Sequence, residues 1–219
     1  MFCEKNDMTR LINLPVIMKV LDWAYEKTLN GIPGMETVDE MAQKFTRQDG
    51  TMHEKVNSLI RWQNAKAGAS GFVTGLGGFM TLPVGIPANL ASVLFIQIRM
   101  IAAIARMGGY DLRDEKVKMM VYLCLAGNFA KDIIQETGII IGTKLTASLI
   151  ERVSERSLLA VNQRVGFRLL TNYGEKGVVN IGKVIPLAGG VIGGTIDLVA
   201  TNIIGNTARK IFIGTNIKS

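Results

Sequence analysis

Between Lys66 and Arg99 lie 32 residues, Ala67 to Ile98, without one charged side chain. A run of that length is poorly suited to a solvated surface and has to meet a protein core, another helix or lipid. Its first half carries Gly68, Gly71, Gly75 and Gly78 at spacings of three, four and three, so a helix there presents a stripe of bare backbone along one face. Each glycine costs about 1 kcal/mol against alanine inside a helix. Four of them are tolerable where something approaches that backbone closely. Phe72, Val73, Leu76 and Phe79 between the glycines favour packed helix over a glycine-rich loop.

Pro83 and Pro87 interrupt the run, and Ala88 to Met107 reads as a long apolar helix closed by Gly108-Gly109. Asn89, Ser92, Arg99, Ala103 and Arg106 share one arc of it, with Ile96 intruding. An arginine near the centre of a spanning helix costs about 2.5 to 3.5 kcal/mol, so Arg99 favours a central core helix or one lying at an interface. Near the C-terminus, Val184 to Ala208 repeats the texture: proline, small residues, then a helix, with Asp197 the one charge among 25 residues. Gly190, Gly194, Asp197, Thr201, Gly205 and Ala208 fall on one helical face. The two stretches read as similar hairpins packed through small faces.

The flanking segments are amphipathic. Leu11, Leu14, Met18, Leu21, Tyr25 and Leu29 predict a helix from about Thr9 to Asn30, stopped by Gly31-Ile32-Pro33-Gly34. Thr37-Val-Asp-Glu40 and Thr51-Met-His-Glu54 each have the form of a capping box, which predicts two further helix starts and leaves His53 exposed. Asp111 is the expected cap of a helix reaching about Asn128, and Lys131 to Thr171 is helical in pattern, with Arg152, Glu155, Arg156, Arg164 and Arg168 on a solvated face. No strand pattern emerges. The expectation is one all-α domain over residues 1–219: amphipathic helices over 1–66, apolar central helices over 67–128, and basic helices with a glycine-rich hairpin over 129–219.

Chemistry is sparse. One histidine and the cysteines Cys3 and Cys124 leave no cluster for a metal, and Cys124 inside Val121 to Ala126 reads as a reduced core thiol. Gly138 to Lys144 and Gly182-Lys183 have the wrong spacing for a phosphate loop, and Gly75-Leu-Gly77-Gly78 makes no dinucleotide fingerprint. The reading is a non-enzymatic protein without catalytic residues, metal or cofactor. Asp197 stands out instead, since a lone buried carboxylate needs a partner. Arg99 is the first choice and Arg106 the second, with Asn89 on the same polar centre. An N-terminal cap of the last helix is an equal alternative for Asp197.

Residues 1–66 hold 9 basic and 9 acidic side chains, while residues 99–219 hold 16 and 9 and so carry the whole net charge of +7. A basic second half beside long apolar stretches points to an anionic membrane surface or lipid as partner. No dense Lys/Arg run interleaved with aromatics appears, so nucleic acid is not expected. The start, MFCEKNDMTR, is charged and lacks an apolar run before Cys3, which reads as a cytoplasmic protein.

The segment ASGFVTGLGGFMTLPVGIPANLASVLFIQIRMIAAIARMGGYD (Ala69 to Asp111), the preceding LIRWQ (Leu59 to Gln63) and the ending VIPLAGGVIGGTIDLVATNIIGNTARKIF (Val184 to Phe212) resemble the bacterial EcsC family in order and spacing over nearly the whole chain. A looser similarity is to small helical domains beside some bacterial GTPases, on Gly109-Tyr110-Asp111. The resemblance implies an all-helical, membrane-associated protein named from a gene beside a transporter operon, with a membrane protein as a further candidate partner. It brings no catalytic residues. The resulting expectation is a protein at the inner face of the cell membrane, accessory to transport or secretion. A soluble carrier of an apolar ligand and a membrane-inserting protein are the alternatives.

Overall fold

The computed structural model describes residues 13–67, 88–137, 139, 147–173 and 191–214; within these helices the side chains of 66–67, 88–90, 147, 172–173 and 191–198 lie outside the description. Nine α-helices and one 3-10 turn make up the described residues, without a strand. They are α1 (Leu14–Asn30), α2 (Val38–Thr46), α3 (Met52–Ala67), α4 (Ala88–Met107), α5 (Glu115–Leu125), α6 (Ala130–Thr137), α7 (Ala147–Glu151), α8 (Glu155–Tyr173) and α9 (Val191–Phe212). The 3-10 turn Gly127–Phe129 joins α5 to α6.

Local chemistry sets the helix ends. Asn13 caps α1 by accepting from the Val16 amide, and Pro15 sits in the first turn, where its missing N–H is not needed. Both capping boxes form: Glu40 accepts from the Thr37 amide at 2.8 Å and Glu54 from the Thr51 amide at 2.7 Å. The return bonds run from the Glu40 and Glu54 amides to the threonine hydroxyls at 3.1 and 3.3 Å. α4 ends as its glycines predict. Gly109 takes φ +87°, the Tyr110 amide reaches back to Ala105 and the Gly109 amide to Arg106, a paired closure that satisfies otherwise free carbonyls.

Several boundaries differ from expectation. The cap of α5 is Asp114, which accepts from the Lys116 amide, while Asp111 turns the preceding loop by accepting from the Arg113 amide. Both are short acidic residues ahead of an apolar run, so the sequence offers two equivalent caps. The segment 131–171 is broken into α6, α7 and α8. α9 begins no later than Val191, which puts Asp197 at its seventh residue, inside the helix and not at its cap. The part of the first helix expected over 9–12 lies outside the described residues.

α4 is the central element, packed against α1, α2, α3, α5 and α9. Leu94, Ile98, Met100, Ile101, Ala102, Ala103, Ile104 and Ala105 on it are fully buried. A helix buried on nearly all sides has no use for a polar face, and this explains its composition. α8 packs on α1, α5 and α6 and stays at the outside. Among the described residues no helix is long and apolar enough to cross a membrane.

Candidate functional site

The two arginines of α4 are turned to the N-terminal region. Arg99, 4% exposed, donates to the backbone carbonyl of Glu36 and lies 4.0 Å from the Glu36 carboxylate. Desolvation pulls its pKa below the usual guanidinium value, and the neighbouring Glu36 charge opposes that shift. Arg106 holds Asp39 at 2.7 Å on the surface. Gln97, two residues before Arg99, faces α9, so Arg99 projects from another side of α4, while the expected pairing with Asp197 rests on a side chain outside the description. Asp197 is placed by its backbone alone, four residues before Thr201; its side chain and that of Asn89 lie outside the description. Gly68, Gly71, Gly75, Gly78 and Gly190 also lie outside the described residues, and Gly194 is placed only as part of α9.

α9 is inserted between α3 and α4. Against α3 it runs antiparallel: His53 Nε2 meets the Gly214 carbonyl at 2.9 Å, Arg209 donates to Asn57, and Gly205 faces Ile60. A Cβ at Gly205 would lie 2.9 Å from Ile60 Cγ1, so only glycine allows this approach. His53, expected in solvent, is thus a half-buried tie to the end of α9. Against α4 the course is parallel, with Gln97 Nε2 3.5 Å from Thr201 Oγ1 and the rings of Tyr110 and Phe212 5.2 Å apart.

The same registers bring three polar residues to one level of this apolar junction. Gln97 and Thr201 are 1% and 2% exposed. Asn64, one turn beyond Ile60, falls opposite Thr201 on the antiparallel register. Gln97 Oε1 and Asn64 Oδ1 are buried without a hydrogen-bond partner. Each such acceptor costs about 1 to 3 kcal/mol when no donor reaches it. Sequence reading passed over Gln97 and Asn64. The signal for Gln97 was a polar residue on the buried side of an apolar helix; Asn64, on the amphipathic α3, carried none.

The surface site is on α8. Val161, Val165 and Leu169 form its inner stripe, and a Cβ on the buried Gly166 would overlap Leu14 of α1, so the helix sits close on the core. The outer stripe Glu155, Leu159, Gln163 and Phe167 steps by four residues, and Leu159 and Phe167 are each 63% exposed. Beside it lie Arg152, Arg156, Arg164 and Arg168. Arg164 reaches Glu136 at 3.2 Å, an exposed pair that solvent weakens. Arg168 stacks on the Phe129 ring, its guanidinium carbon 3.4 Å from the centroid, and its Nε is buried without a partner. Phe129 is itself 43% exposed. Gly127, at φ +58° and against Ile203, makes the turn that presents it. The solvated character expected of Arg152, Glu155, Arg156 and Arg164 is what the structure shows, whereas Arg168 is half-buried on an aromatic face. The large exposed apolar residues between the arginines are a feature that charge counting did not reveal.

Burial pushes the Cys124 thiol well above its ordinary range, which makes it inert. Tyr122 donates to Asp22 at 2.9 Å, and Lys118 holds the same carboxylate at 3.0 Å. Among the described residues no three His, Cys, Asp or Glu side chains gather where they could hold a metal.

A central helix sheathed by others, without a spanning segment among the described residues and with a basic outer helix, defines an all-helical protein built around α4. The EcsC protein family matches residues 22–213, and the protein belongs to that family. Neither a curated protein nor a solved structure matches the chain.

Proposed function

We propose that this protein works without catalysis at an anionic membrane surface, with the outer face of α8 against the headgroups, as an accessory of a membrane transport or secretion system on the cytoplasmic side. The observation that carries the reading is the alternation on α8 of two large exposed apolar side chains, Leu159 and Phe167, with the three arginines Arg156, Arg164 and Arg168 against one glutamate, and with Arg152 in the turn just before the helix. An amphipathic face of this kind lies in the plane of the interface and does not cross it. Each arginine near an anionic surface contributes about 1 kcal/mol, and burying a leucine or phenylalanine contributes roughly 1.5 to 3 kcal/mol. That is enough for reversible binding and too little for an anchor. Co-sedimentation with phosphatidylglycerol vesicles and with phosphatidylcholine vesicles tests it. Binding to the former alone, lost in 0.5 M salt, supports the reading; equal indifference to both vesicle types would remove it.

A second reading, a carrier of a small amphiphile, is favoured by the unpartnered acceptors of Asn64 and Gln97 between α3, α4 and α9. Mass spectrometry of the purified protein under non-denaturing conditions tests that alternative. A copurifying lipid lost in Gln97→Leu would support it, and a ligand-free protein would not.

A further inference from the structure

On the reading that α8 meets the membrane, we propose that Arg168, held over the Phe129 ring, is a phosphate clamp for a lipid headgroup and is distinct in kind from the other arginines of that face. The geometry differs in three respects. The guanidinium carbon lies over an aromatic ring, 3.4 Å from its centroid, whereas Arg152 and Arg156 extend into solvent. Among the described residues no carboxylate lies within the 4.0 Å of an ion pair to Arg168, while Arg164 one turn away is engaged by Glu136. Its Nε is buried while the residue as a whole is only half-buried, so the outer end of the guanidinium, and not Nε, is the part that can meet a headgroup.

Its surroundings fit a lipid better than a free anion. Phe129 beneath the guanidinium is 43% exposed, and Phe167, the residue just before Arg168, is 63% exposed. A phosphate taken by Arg168 therefore arrives beside the Phe129 ring, with the exposed Phe167 about a quarter-turn round α8, both of the kind that sits at the junction between headgroups and acyl chains. A planar, oriented fork suits a phosphate oxygen pair in a way that a lysine ammonium, a point charge, does not. The clamp thus predicts that geometry matters at 168 and only charge matters at 156.

The test is the affinity of the full chain for phosphatidylglycerol vesicles, by co-sedimentation at fixed low salt. R168K and F129L keep the charge and the apolar volume but break the stack, and each is expected to lose at least fivefold in affinity. R156K is expected to stay within twofold of the unmodified protein, and R156Q to lose a few-fold in a salt-dependent manner. Unchanged urea midpoints would assign the losses to the surface. If R168K binds as well as the unmodified protein, Arg168 acts as a mere charge and the clamp is wrong while the membrane reading stands. Failure of the unmodified protein to bind these vesicles removes both. Displacement by inorganic phosphate beyond that by chloride of equal ionic strength would make the site one for a free anion and overturn the lipid assignment.

Discussion

Gly205 of α9 lies so close to Ile60 of α3 that an added Cβ would meet three atoms of the isoleucine side chain at 2.9 to 3.1 Å. Two helices that the chain separates widely are locked by the absence of one methyl group. Gly205→Ala would gain about 1 kcal/mol of helix propensity and lose roughly 1 to 3 kcal/mol by overpacking against a stiff β-branched neighbour. The expected net effect is destabilisation by about 1 kcal/mol. Urea unfolding of a double-mutant cycle with Ile60→Ala checks it, because the cost of the added methyl should largely vanish once Ile60 is truncated.

The buried guanidinium of Arg99 gives a larger effect. Arg99→Met leaves the Glu36 carbonyl without its donor and should cost about 2 to 4 kcal/mol. Glu36→Gln should cost under about 1 kcal/mol, since the carbonyl keeps its donor and the carboxylate, 28% exposed, stands 4.0 Å away. Equal losses in the two variants would mean that the ion pair, and not the backbone hydrogen bond, is what holds Arg99 in place.

Much of the helix skeleton could be read beforehand because it is local. Thr37 with Glu40, Thr51 with Glu54, and Gly109 after α4 specify their ends within a few residues, and each forms as read. The all-α class and the placement of Ala88–Met107 follow from the same short-range periodicity. What was not legible is long-range. Arg99 finds its partner 63 positions earlier in a loop, His53 finds the Gly214 carbonyl 161 positions later, and Phe129 meets Arg168 across a helix packing. No spacing rule encodes such meetings. Asp197 looked like a cap because a short acidic residue beside glycines resembles a helix start; the helix in fact begins at least six residues sooner.

Acid should loosen the N-terminal helices. The backbone and hydroxyl hydrogen bonds from Thr37 and Thr51 hold the Glu40 and Glu54 carboxyls below the ordinary 4.5. A depressed native pKa contributes stability that is present above the unfolded value and is lost as pH falls through the native one. The urea midpoint should therefore drop as pH is lowered from about 5 toward 3. Glu40→Gln/Glu54→Gln should show a shallower fall over that window. An unaltered slope in the double variant would mean that other carboxylates carry the acid sensitivity.

Cys124 should be chemically silent in the folded state. Its thiol is fully buried and held protonated by desolvation. Iodoacetamide labelling followed by peptide mass spectrometry should find Cys124 unmodified at pH 8 in buffer and fully modified in denaturant. Labelling in buffer at a rate near that of a free thiol would show that the α5 core opens readily.

The central claim is that the outer face of α8 enters the membrane interface, and a reporter at one of its two most exposed apolar positions addresses it directly. With Phe167→Trp, addition of phosphatidylglycerol vesicles should shift the emission of the new tryptophan to the blue, and brominated acyl chains should quench it. High salt should reverse both changes. Native Trp23 and Trp62 are half-buried and should supply a constant background. Emission from position 167 that stays unshifted and unquenched in the presence of the vesicles would contradict the account.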